Sequence, residues 1–118
     1  MDHPNPTPET EFFWDIAEPF LTQPGTSIGT LMKFPCLRAD GNFFATCDHR
    51  TGDLIVKLPR HRVSELVEAG DAHPFAPAGR TFKEWATVAR RDEGTWQALI
   101  GEARAYATEP SVERSVQR

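Results

Sequence analysis

The feature that most constrains this chain is residues 30–59, TLMKFPCLRADGNFFATCDHRTGDLIVKLP. Three short apolar runs are separated here by two turn signals, Asp40-Gly41 and Thr51-Gly52-Asp53. Asp-Gly favours the positive φ angles of a tight hairpin, so the first two runs should pair antiparallel. The expected strands are 30–38, 42–49 and 53–58. In the third, Leu54, Val56 and Leu58 alternate with Ile55 and Lys57, as in a strand with one face inward. Pro35 within the first run points to an edge strand or a bulge.

Helical patterns flank this meander. Thr7 can cap a helix and Pro8 suits its first position. Phe12, Phe13, Ile16, Ala17 and Phe20 then recur at helical spacing. A second helix starts at Pro59, with Val63, Leu66 and Val67 inward and Gly70 at its C-terminal cap. Residues 71–81 are turn-rich, with room for a very short strand near 75–78. Residues 83–88 alternate as a further strand. Asp92 or Thr95 opens the last helix, whose inward stripe is Trp96, Leu99, Ile100, Ala103 and Tyr106. The expected order is α-β-β-β-α-(β)-β-α. That is an α+β domain, with a small antiparallel sheet of four to five strands and helices packed on it. The 118 residues are enough for one such domain with its own core. Residues 7–108 should form it, with 1–6 disordered and 109–118 a frayed tail.

No apolar run approaches the ~20 residues of a membrane span. The start of the chain, MDHPNPTPETEF, is acidic and Pro-rich, unlike a targeting signal. A cytoplasmic protein is expected. The formal charge of −4 is unevenly placed. Residues 1–25 hold five acids and no base, whereas residues 26–91 hold ten bases against seven acids. The acidic total argues against strong non-specific DNA affinity. The basic middle still allows a local patch.

The residues that could carry chemistry form no catalytic constellation. Ser27, Ser64, Ser111 and Ser115 lack a neighbouring base and a nucleophile-elbow sequence. Neither GxGxxG nor GxxxxGK occurs, so no phosphate loop is encoded. Cys36, Cys47 and His49 could converge on a zinc ion, but no CxxC or HxxxH spacing supports it, and core packing is the better reading of both thiols. A two-residue turn at Asp40-Gly41 sets Cys36 opposite Ala45 and diagonal to Cys47. A three-residue turn puts the two thiols on opposite faces. No cofactor or metal is implied. The candidates for binding are Lys57, Arg60, Arg62, Arg80, Lys83 and Trp85, where cations gather beside a large aromatic. They suit a protein partner or a weak nucleic-acid contact. A homodimer through an exposed strand edge is a further expectation.

Three segments, in this order, carry a resemblance. They are Gly29…Phe34-Pro35-Cys36-Leu37…Asp40-Gly41-Asn42-Phe43-Phe44-Ala45, then Asp53-Leu54-Ile55-Val56-Lys57-Leu58-Pro59, then Pro74-Phe75…Gly79-Arg80…Lys83-Glu84-Trp85. Over residues 10–107 the chain resembles the TfoX N-terminal domain family, with the related MmcQ/YjbR family second. The resemblance implies an α+β domain with an antiparallel sheet and flanking helices. A TfoX-like protein implies association with competence regulation, and an MmcQ/YjbR-like protein implies a DNA-binding role for a double-wing structure. Neither implies a catalytic site. The C-terminal helix-hairpin domain of full TfoX proteins has no counterpart here, so the expectation is a stand-alone, non-enzymatic regulatory module.

Overall fold

A computed structural model describes residues 7–31 and 33–109. The expected disordered start (1–6) and most of the expected frayed tail (110–118) lie outside the described residues. Helix α1 spans Glu11–Ala17 and runs into a 3₁₀ turn, Glu18–Thr22. The strands β1 (Thr26–Leu31), β2 (Phe34–Ala39), β3 (Asn42–Cys47) and β4 (Leu54–Lys57) follow. Next come α2 (Arg60–Glu68), β5 (His73–Phe75), β6 (Phe82–Val88) and α3 (Glu93–Thr108). The strands form one antiparallel sheet in the order β1-β2-β3-β4-β6-β5. The α+β class is as the sequence indicates.

The sheet has six strands where four to five were expected, because a further strand, β1, begins at Thr26 ahead of the run 30–38 and takes its first two residues. The chain turns after Leu31, and Lys33 takes a φ of 75° in the left-handed region. No Gly, Asn or Pro marks that turn. Pro35 therefore lies on an internal strand and not on an edge. Its missing N–H is tolerated because the β2–β3 ladder joins Leu37–Ala39 to β3. At Pro35 the Thr46 hydroxyl instead donates to the carbonyl at 2.8 Å. The edges of the sheet are β1 and β5.

The Asp40-Gly41 hairpin is the expected two-residue turn, with Ala39 opposite Asn42 and Arg38 opposite Phe43. Beyond it the register shifts, and Leu37 faces Ala45. Phe44 is the extra residue of this bulge, and it is fully buried. Cys36 accordingly does not stand opposite Ala45 as the simple turn predicts. The first helix starts at Glu11, later than Pro8, because Thr7 and Thr10 close a turn of their own through mutual hydrogen bonds.

All three helices lie on one side of the sheet. Helix α3 packs on β2, β3 and β4 and against α1, while α2 packs on β5 and β6. The inward residues Leu37, Ala39, Ala45, Leu54, Val56, Ala86 and Val88 join Phe13, Ile16, Leu66, Trp96, Leu99 and Ile100 in one core. Each large side chain so buried contributes roughly 1.5–3 kcal/mol relative to exposure. Trp14 belongs to this core as well. Tyr106, expected inward, is half-buried and donates to Glu84 Oε2 at 3.1 Å, and Ala107 takes the buried place. No described helix is long and apolar enough to cross a membrane.

Candidate binding surface

Antiparallel partners share a face, so the buried pairs Val56–Ala86 and Leu54–Val88 identify the helix-covered side. The alternate pairs, Lys57–Trp85 and Ile55–Thr87, then point to the open side. Lys83, two residues before Trp85 on β6, points there too and is exposed. The strand pattern thus sets a cation directly across from a half-buried indole. The Lys57 ammonium also lies 3.8 Å from Glu84 at the strand end. At that distance and exposure the pair is weak and leaves the cation available.

The other candidates divide. Arg60 opens α2 and, with Lys83, lines a groove of about 360 Å³ floored by Val63, Val67 and Phe82. Arg80 follows a 3₁₀ turn and holds its guanidinium carbon 5.3 Å from the Phe82 ring centroid. This is cation–π range, and it keeps the charge beside the groove. Arg62 goes elsewhere. It forms a two-point pair with Glu102 of α3 at 2.9 and 3.2 Å and meets Glu65 at 3.2 Å. The hydrogen bond that Arg62 donates to Glu102 raises the Arg62 pKa further above its ordinary value. Arg62 therefore ties α2 to α3, and the remaining candidates gather around the Lys57–Lys83 end of the sheet.

Two residues of the same face went unread in the sequence. Ser27, Arg38 and Phe43 are successive cross-strand partners on β1, β2 and β3. The Phe43 ring reaches over β2 as far as Gly29, where a Cβ would lie 2.9 Å from Phe43 Cε1 and 3.1 Å from Arg38 Nη1. Continuing the β3–β4 register past Ala45–Val56 sets Lys57 beside the bulged Phe43–Phe44 pair. On the far side, the Phe75 and Trp85 rings are 6.4 Å apart. One row thus crosses the sheet as Arg38, Phe43, Lys57, Trp85 and Phe75. The hairpin register alone pairs Arg38 with Phe43, so the sequence did hold the signal for this half of the row.

Charge is sorted between the two sides. Among the described residues, Glu84 is the single acid in the six strands, and it alternates inward toward Tyr106. The strand positions of Arg38, Lys57 and Lys83 all face outward, and at the strand end the Lys57 ammonium reaches toward Glu84.

The residues weighed for metal chemistry have other settings. Cys36 and Cys47 are free and buried. Burial pushes each thiol pKa up to about 12, so both stay protonated at neutral pH and are poor ligands or nucleophiles. His49 stacks on the half-exposed ring of Phe34 at 3.9 Å. Among the described residues, no three of His, Cys, Asp and Glu are grouped to hold a metal ion. Of the two cavities described, neither is lined by Trp85 or Phe75. Comparisons with protein-family models, with curated proteins and with solved structures return no match for this chain.

Proposed function

We propose that this protein is a binding module without catalytic chemistry, and that it holds nucleic acid at the Lys57–Lys83 end of its open sheet face. The observation that carries this reading is the outward cross-strand pair Lys57–Trp85, with Lys83 on the same face. Nucleic acid offers phosphates for the cations and flat bases for the indole. Arg60 and Arg80 add two further positive charges at the adjoining rim, beside the groove between α2 and β6 that Lys83 also borders. The net charge of −4 does not oppose this, because the acids lie largely off the sheet face. Such a module suits the regulatory association that the TfoX-like resemblance implies.

Fluorescence anisotropy with labelled oligonucleotides across a salt series tests the proposal. Four phosphate contacts, by Lys57, Arg60, Arg80 and Lys83, give a log–log slope of about −3. The double variant Lys57→Gln/Lys83→Gln should weaken binding for every sequence and flatten the slope by about 2. Absence of binding at low salt, or binding indifferent to salt, would sink the proposal.

A further inference from the structure

We infer that the ligand is single-stranded and crosses the sheet from β5 to β2, with bases on Phe75, Trp85 and Phe43 and phosphates on Lys57 and Arg38. This rests on the nucleic-acid reading above and adds the form of the ligand and the second half of its track.

The register carries the inference. Arg38 and Phe43 are cross-strand partners, as are Lys57 and Trp85, and Phe75 continues the line at the β5 edge, where its ring lies 6.4 Å from Trp85 and 5.8 Å from its partner Phe82. Cations and aromatics alternate along most of it. The line covers four interstrand spacings, about 19 Å in all, enough for several stacked groups. Gly29 gives the row its flatness: with no side chain there, the Phe43 ring can extend over β2 toward the edge strand. A ring lying along a sheet offers its face, which is the surface a base stacks on. The bases of a duplex turn their faces to one another and leave only edges and phosphates outside. A row of half-exposed aromatics on a broad sheet therefore suits unpaired bases better than a double helix. The charge pattern agrees with a ligand along the whole row, since Arg38 stands three strands from Lys83 and the face between them carries no outward acid among the described residues.

The test uses the intact chain and three probes: an oligothymidylate, a hairpin duplex of matching length, and inorganic polyphosphate. Intrinsic fluorescence reads out stacking, because Trp14 and Trp96 are 3% and 0% exposed and Trp85 is the half-exposed indole. The oligothymidylate should quench this fluorescence and bind on the order of tenfold more tightly than the duplex. Polyphosphate should bind without quenching. Phe43→Leu should weaken the oligothymidylate on the order of tenfold and leave polyphosphate unchanged. Arg38→Gln, a change at a half-exposed charge that leaves the core intact, should lower the salt slope by about one. Equal affinity for duplex and single strand, with Phe43→Leu and Arg38→Gln both silent, overturns the single-strand track while the nucleic-acid reading stands. Failure of all three probes to bind at low salt overturns both.

Discussion

Gly29 is the residue whose smallness the open face depends on. Its φ is ordinary, so what it supplies is space: a Cβ would meet the Phe43 ring at 2.9 Å and Arg38 Cδ at 3.2 Å. Glycine within a strand normally costs about 0.5–1 kcal/mol relative to alanine, so a free site would gain from Gly29→Ala. Here the overlap should reverse the sign, giving a loss of about 1 kcal/mol in urea unfolding as ring and guanidinium are displaced. In a Phe43→Leu background the loss should shrink, which a double-mutant cycle measures. A Gly29→Ala protein more stable than the parent would show that the ring yields without cost.

At the scale of elements, α3 is the best-defined helix, and its start was legible. Asp92 takes the N-cap, and its carboxylate accepts from the Thr95 hydroxyl and from the Thr95 N–H at 2.9 Å. The hydroxyl first, and then the backbone N–H, hold the Asp92 carboxyl below its usual range. A depressed folded pKa stabilises above the ordinary carboxylate value of about 4, and that contribution is lost as pH falls through the lower folded value. Thermal melts over a pH series should show Asp92→Ala below the parent at neutral pH. Asp92→Asn should keep most of the cap, with its deficit against the parent closing in acid. An Asp92→Asn deficit independent of pH would contradict this. The β1–β2 turn shows the opposite case. Composition signals such a turn where glycine or asparagine takes the left-handed position, and here Lys33 takes it, so the boundary between β1 and β2 was not legible. The Phe44 bulge was hidden for a similar reason: a large apolar residue fits a regular strand and a bulge equally well.

At the scale of the molecule, the sequence indicates neighbours in the chain better than neighbours in space. The β2–β3–β4 meander could be read from its turns, whereas the insertion of β6 between β4 and β5 depends on how α2 packs. The candidate site divides in the same way. Lys57 and Trp85 could be named from local composition, but Arg62 is drawn off by Glu102, forty residues along the chain. Burial also governs the thiols, Cys47 within the core and Cys36 on the other side of the sheet. With Cys36 and Cys47 buried and protonated, alkylation at mildly alkaline pH should follow global opening and speed up with urea as the fold is lost. Rapid labelling of the native protein would show local opening of the sheet. Because the folded thiol values are raised, stability should fall as pH climbs from the ordinary thiol range of about 8.5 toward the raised folded value.

Glu84, the lone acid of the strands, turns toward Tyr106 and leaves the open face to cations, while α1 carries Glu11 and Asp15 and no base. The molecule is therefore two-sided to an approaching polyanion, repelling from the α1 side and attracting from the sheet. By the proposed reading, a long polymer cannot wrap around such a body. Copies bound along it would stand in file, each showing it the same hemisphere.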